Sequence, residues 1–112
     1  MELDSSSLNN VQVISVKAER IDAAGAIRFK DAVRAAVDKE APRVVLDLGR
    51  VRFVDSSGLG AVVAVMKFLG PERKLELAAL TPDVDKVFRL TRMDTVFAIH
   101  RDVDSATRRA AG

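Results

Sequence analysis

The chain has 112 residues, of which 48% are hydrophobic and 30% charged, and its formal net charge is +2. That length suits one hydrophobic core, so we expect a single domain over residues 1–112, with its core at about 11–108. The charges are interleaved and form no basic stripe, which argues against nucleic-acid binding. The lack of cysteine excludes disulfides and thiolate metal sites. No apolar stretch approaches the ~20 residues of a membrane span.

The beginning of the chain does not resemble a signal peptide, because the acidic Glu2 and Asp4 stand where a basic stretch and an apolar run would be. Together with the absence of cysteine, this start favours the reducing cytoplasm. The carboxylates show no metal-ligand spacing and no Walker-type phosphate loop is present, so we expect neither a metal nor a cofactor.

In the first third of the chain, alternation of apolar and polar residues over 11–16 predicts a strand with one solvent-facing side. Residues 3–7 form either an earlier strand, turned at Asn9 and Asn10, or a frayed terminus. Apolar residues at helical spacing predict a helix over 24–39, with Asp22 placed to cap or charge its start.

The rest of the chain alternates buried strands with helices. The run 44–48 reads as a strand covered on both faces, and apolar residues from Leu59 to Met66 follow at helical spacing. A strand over 75–80 and a helix opening at 81–83 come next, and then a strand over 95–100 and a helix over 103–110. This order predicts an α/β sandwich with a mostly parallel sheet of four to five strands and about four helices.

One short motif carries chemical information: Asp55, Ser56, Ser57 and Gly58 stand at the mouth of a predicted helix, after a buried strand. Free N–H groups and the helix dipole favour an anion there, so a phosphate on a serine would be compatible with the fold. The simpler interpretation is that Ser56 or Ser57 is an N-cap and Gly58 a turn residue. The local pattern alone leaves both interpretations open.

The sequence resembles the STAS domains, and among them the anti-sigma factor antagonists of bacterial partner-switching systems. The resemblance rests on VVLDLGRVRFVDSSGLGAVVAVMK, is supported by the RID of residues 20–22, and continues through LTPDVDKVFRLTRMDTVFAIH. It covers roughly residues 11 to 108 and implies the STAS-type sandwich fold.

In that family the second serine of the DSSG motif, here Ser57, is phosphorylated by a cognate anti-sigma factor/serine-protein kinase. The resemblance implies that the unmodified protein binds this partner and releases the sigma factor, that phosphorylation ends binding, and that a PP2C-type phosphatase restores it. The implied partner surface comprises Asp22, Asp55, Ser56, Ser57 and Gly58. For Asp22, a plain charge at a helix N-terminus is the alternative.

Two other functions compete with this one. An enzyme with Ser57 as nucleophile would need a base, yet His100 is the only histidine and the G-x-S-x-G pattern is absent, so we expect no catalysis. The second is a constitutive STAS scaffold, a subunit of a transporter or signalling complex, which the intact motif around Ser57 argues against. One departure from the family is Arg92, which replaces a glycine at a helix C-terminus and predicts strain or a changed cap there.

Overall fold

The computed structural model describes residues 1–108. Strands and helices alternate through these residues, and none of the helices is long and apolar enough to cross a bilayer. The strands are β1 Leu3–Leu8, β2 Val11–Val16, β3 Arg20–Ile21, β4 Arg43–Asp47, β5 Phe53–Val54, β6 Lys74–Ala78 and β7 Ile99–His100. The helices are α1 Ala26–Ala36, α2 Ser56–Leu69, α3 Pro82–Leu90 and α4 Val103–Thr107, with a 3-10 turn at Met93–Thr95.

Within residues 1–108 the main sheet has five strands in the order β1-β2-β4-β6-β7, and it confirms the predicted mostly parallel arrangement. Only β1 runs antiparallel, as a hairpin with β2, while the other neighbours pair in parallel. The hairpin turns at Asn9 and Asn10, whose φ angles of 54° and 66° suit a two-residue turn with both residues left-handed. Residues 3–7 are therefore strand and not a frayed terminus.

The apolar side chains of the sheet divide between its two faces. On one face Ile14, Leu46 and Leu77 lie in register and are fully buried in a core shared with α1, α2 and α3. On the other face Val13 and Val45 belong to a smaller cluster that α4 covers. Because β4 is covered on both sides, its sequence is a nearly continuous apolar run, as predicted. The solvent-facing side predicted for residues 11–16 is wrong, because β2 is largely buried on both faces.

A second, two-stranded parallel sheet joins β3 to β5, and the apolar pattern did not predict it. Arg20 pairs with Phe53, and Ile21 with Val54. Ile21 and Val54 point into the core, whereas Arg20 and Phe53 remain exposed. This small sheet holds the corner that follows β2 against the loop that precedes α2, and it thereby positions the candidate site.

Two predictions near the C-terminus need correction. The strand predicted over 95–100 is wrong for its first part, because Met93–Thr95 forms a 3-10 turn and only Ile99–His100 pairs with β6. Phe97 is buried against Phe88, with ring centroids 6.4 Å apart, so it belongs to the core without being part of a strand. The helix predicted over 103–110 ends at Thr107, and positions 109 and 110 lie outside the described residues.

Candidate functional site

The two serines of the motif lie in the first turn of α2, not in a loop before it. Asp55 occupies the N-cap position, where its Oδ1 accepts a hydrogen bond from the Gly58 amide at 2.9 Å. Ser56 and Ser57 follow as the first two helical residues, and both are exposed. The interpretation of either serine as the N-cap is therefore wrong, because Asp55 occupies that position.

Asp55 also ties the start of α2 to the corner after β3. Its Oδ2 accepts a hydrogen bond from the Ala23 amide at 3.1 Å, and its own amide donates to the Ile21 carbonyl at 3.4 Å. One carboxylate thus satisfies two backbone N–H groups, one of them 32 residues away in sequence. The site is built on this bridge between two loops.

Gly58 is buried where α2 meets β3. A Cβ atom added to this residue would lie 1.9 Å from the Ile21 carbonyl oxygen and 2.7 Å from its carbonyl carbon. Both neighbours are backbone atoms, so they cannot rotate away as a flexible side chain could. Gly58 is therefore not a turn residue, as the simpler interpretation had it, but a point of close approach between a helix and a strand.

Asp22 lies beside this junction and is held in place by two hydrogen bonds. Arg20 Nε donates to its Oδ2 at 3.1 Å, and the Gly25 amide donates to its Oδ1 at 3.2 Å. The hydrogen bond from Arg20 is the main reason that the pKa of Asp22 is lowered, so the carboxylate is ionised at neutral pH. Helix α1 starts only at Ala26, so Asp22 stabilises the turn that leads into the helix and does not cap it directly.

An exposed aromatic residue stands next to this corner, and sequence reasoning gave it no role. The guanidinium carbon of Arg20 lies 4.2 Å from the ring centroid of Phe53, which remains 41% exposed. Such a stacked pair offers an apolar surface with a positive charge on top. The sequence signal for this pair is Phe53 itself, an aromatic residue that stands two positions before Asp55, the first residue of the motif.

The structure brings Asp22, Asp55, Ser56, Ser57 and Gly58 together at the end of the main sheet where α2 begins. The carboxylates of the first two flank the junction, and the serine side chains face solvent. At the first turn of a helix the backbone N–H groups lack intrahelical acceptors, and the dipole favours negative charge. The first turn of α2 can therefore carry a phosphate without loss of the local fold.

His100 is not part of this cluster. Its Nε2 lies 2.6 Å from Glu76 Oε1, in a group of side chains on the face of the sheet that α4 covers. Ser57 instead begins a helix on the opposite face. The geometry thus gives no support to a serine–histidine pair of the kind that a Ser57 nucleophile would need.

Comparisons with known proteins agree with this architecture. A family model described as the STAS domain matches residues 3–106. A Bordetella bronchiseptica protein named as the candidate anti-sigma factor antagonist BtrV is 34% identical over 87 residues, which cover 77% of this chain and 75% of that protein. An anti-sigma factor antagonist from Mycobacterium paratuberculosis is 29% identical, with a TM-score of 0.82 over 96% of this chain and 94% of that one. The phosphorylated form of the Bacillus cell fate determinant SpoIIAA shares the fold, with a TM-score of 0.65 at 19% identity over 96% of this chain and 98% of that one. This chain belongs to the STAS domain family.

Proposed function

We propose that this chain is an anti-sigma factor antagonist whose binding is switched by phosphorylation of Ser57. The unmodified protein binds an anti-sigma factor that is also a serine-protein kinase, and this binding releases the sigma factor. Phosphorylation of Ser57 ends the interaction, and a PP2C-type phosphatase restores it. The switch operates in the cytoplasm and requires no catalysis by this chain.

The observation that carries this proposal is the exposed position of Ser57 in the first turn of α2. A kinase can reach its hydroxyl without unfolding the domain, because nothing of the core covers it. A phosphate added there would sit at the positive end of the helix dipole, where an anion is tolerated. The modification should therefore leave the fold intact and change only what binds to this surface.

The surroundings of Ser57 explain why a phosphate would end binding. Asp22 and Asp55 already place two carboxylates beside the first turn of α2. A phosphoserine adds about −1.5 to −2 charges, and a partner docked over Ser57 would bury them next to these carboxylates. Burying charge without a matching cation is strongly unfavourable, so the partner dissociates.

The relatives support the same function. The Bordetella protein is 34% identical and is named as an anti-sigma factor antagonist, and the mycobacterial structure carries the same description. SpoIIAA has been solved in both unphosphorylated and phosphorylated forms, so a protein of this fold is known in two modification states.

The test uses the purified chain with each purified anti-sigma factor/serine kinase of the organism that encodes it. Phosphate incorporated from ATP is mapped by mass spectrometry, and binding of the wild type, Ser57→Ala and Ser57→Asp is compared by calorimetry. We expect phosphate on Ser57, retained binding for Ser57→Ala and at least tenfold weaker binding for Ser57→Asp. Ser6→Asp is the matched control, because it adds the same charge at an exposed serine of β1, outside the partner surface, and it should leave binding unchanged.

Two other outcomes would overturn the proposal. If Ser57 stays unmodified and all variants bind one partner equally well, the domain is a constitutive scaffold of a transporter or signalling complex. If no anti-sigma factor binds the wild-type protein, the antagonist function itself is wrong.

A further inference from the structure

A shallow seam between α1 and α2 runs along the surface away from Ser57. Lys30 and Arg34 line it on α1, and Ala64, Val65 and Phe68 line it on α2, around a hollow of about 110 Å³. On α2, positions 57, 60, 64 and 68 recur at helical spacing, so Ser57 and Phe68 lie on the same side of that helix. We call this surface the α1–α2 seam.

The seam has an exposed apolar side chain at each end. Phe68 is 48% exposed, and the guanidinium carbon of Arg34 lies 4.8 Å from its ring centroid. Ile27, one helical turn before Lys30 on the same side of α1, is 68% exposed. Both ends of the seam therefore offer an apolar contact, and the end at Phe68 has a cation stacked on it.

Charge along the seam is predominantly positive. Lys30 and Arg34, which line the seam, are both cations, and the described residues that line it include no carboxylate; Asp22 and Asp55 lie beyond it, beside the first turn of α2. The whole chain, by contrast, carries a formal charge of only +2. This imbalance favours a partner surface that is acidic and steers its approach to this side of the molecule.

We infer that the α1–α2 seam binds an acidic amphipathic helix of the anti-sigma factor, so that the docking surface extends from Ser57 to Phe68. This inference rests on the proposed function. With 11 residues in α1, the seam is about 16 Å long, which matches three turns of a partner helix. Such a helix would place apolar side chains against Ile27 and Phe68 and its acidic flanks against Lys30 and Arg34.

The first arm of the test measures binding of seam variants to the anti-sigma factor that binds the wild-type protein. Arg34→Glu and Phe68→Ala should each weaken binding at least tenfold. Lys86→Glu and Leu90→Ala, which change an exposed cation and an exposed apolar side chain on α3, are the matched controls and should leave binding unchanged. Thermal unfolding of each variant reports whether the fold is retained.

The second arm requires no anti-sigma factor. Nuclear magnetic resonance follows a titration of the full chain with a synthetic amphipathic helical peptide of about four turns that carries leucine on one face and glutamate on its flanks. Amide shifts should cluster at Ile27, Lys30, Arg34, Ala64 and Phe68, and a peptide with lysine in place of glutamate should bind at least tenfold more weakly.

The two arms separate failure of this inference from failure of the proposed function. If the anti-sigma factor binds the seam variants as tightly as the wild type, the seam is not a docking surface, although the Ser57 switch stands. If no anti-sigma factor binds at all, the proposed function is wrong and the peptide titration alone decides whether the seam binds acidic helices. Shifts scattered outside the seam, or equal binding of both peptides, would overturn the inference.

Discussion

Gly58 lies so close to Ile21 that the first turn of α2 has no room for a side chain there. Replacement by alanine would gain up to about 1 kcal/mol in helix propensity. Its Cβ, however, would come within 1.9 Å of a backbone oxygen, and such overpacking typically costs about 1–3 kcal/mol or more. We therefore expect Gly58→Ala to lower the free energy of unfolding by about 2 kcal/mol in urea titrations.

Gly60 is the matched control for this prediction, because it lies in the same helix, is exposed, and would have no heavy atom within 4 Å of an added Cβ. Gly60→Ala should raise the free energy of unfolding by up to about 1 kcal/mol. If both alanine variants were equally stable, the close approach of Gly58 to Ile21 would not be a constraint on the fold.

The capping carboxylate of Asp55 is expected to contribute both to stability and to the shape of the partner surface. Asp55→Ala removes the acceptors for the Gly58 and Ala23 amides and should cost about 1–2 kcal/mol, whereas Asp55→Asn keeps an acceptor and most of the stability. Asp102 caps α4 in the same way, accepting from the Ser105 amide at 2.7 Å, and α4 packs on the face of the sheet opposite to α2.

Urea unfolding and calorimetric binding measured on the same variants distinguish the two contributions of Asp55. Asp55→Ala should lower both stability and affinity for the anti-sigma factor, while Asp102→Ala should lower stability alone. Equal losses of affinity in both variants would mean that the effect at Asp55 is only a general destabilisation.

The C-terminal end of α3 confirms the prediction that was made from Arg92, which replaces the glycine usual in the family. Arg92 has a φ of +63°, in the left-handed region that the glycine usual at this position adopts without strain. Arg92→Gly should therefore raise the free energy of unfolding by about 1 kcal/mol. Arg92→Ala tests the cause: it removes the long side chain but keeps the Cβ, so it should give no such gain in thermal or urea unfolding.

The same backbone conformation also occurs where no local pattern points to it. Ala79, just after β6, has a φ of +62°, although an alanine within an apolar run reads as a continuing strand. The amide of Ala79 donates to the His100 carbonyl at 3.1 Å, and the carbonyl of Ala78 accepts from the Leu48 amide at 3.0 Å. These contacts come from neighbouring parts of the sheet, so tertiary structure fixes this conformation and the sequence could not predict it.

How far each element could be predicted depends on its length. Strands β2, β4 and β6 and helices α1, α2 and α3 each carry an apolar periodicity or a continuous apolar run over several residues, so their order predicted the parallel sheet. β3, β5 and β7 have two residues each, too few to show a period. The first two position the candidate site, which is why its geometry, unlike its motif, could not be derived from the sequence.

For the molecule as a whole, a part-buried ionic cluster connects four elements on the face that α4 covers. Arg43 of β4 donates to both oxygens of Glu76 in β6, at 2.6 and 2.8 Å, and His100 of β7 lies 2.6 Å from the same carboxylate. Arg43 also donates to the Ala106 carbonyl of α4 at 2.8 Å. These residues are 24 to 63 positions apart, so only the sheet register brings them together.

The cluster links global stability to pH through Glu76, whose side chain is only 7% exposed. Burial raises the pKa of this carboxyl, but the hydrogen bonds from Arg43 and His100 outweigh burial and hold its pKa below the usual value. Because the pKa of Glu76 is lower in the folded protein than in the unfolded chain, ionisation of this carboxyl stabilises the fold. The stabilisation is fully present at pH values above the pKa of the unfolded chain, about 4.3, and it is lost as the pH falls through the pKa of the folded protein.

Glu76→Gln should therefore be about 2 kcal/mol less stable than the wild type at pH 7, because it leaves the half-buried Arg43 without its counter-charge. The difference in the free energy of unfolding between the wild type and Glu76→Gln should decrease steadily in urea titrations below about pH 4, where the wild-type carboxyl also becomes neutral. Asp22 and Asp102 also have lowered pKa values, but they are present in both proteins and cancel in the difference.

Glu72→Gln is the control for charge alone. It removes an exposed carboxylate, so its free energy of unfolding should equal that of the wild type at every pH. If the difference in the free energy of unfolding between the wild type and Glu76→Gln stayed constant with pH, lost packing and not lost charge would explain the destabilisation. Because the cluster and Ser57 lie on opposite faces of the sheet, Glu76→Gln should still bind the anti-sigma factor wherever it remains folded. The pH-dependent contribution of Glu76 would then act on one face of the sheet, while the proposed phosphorylation switch acts on the other.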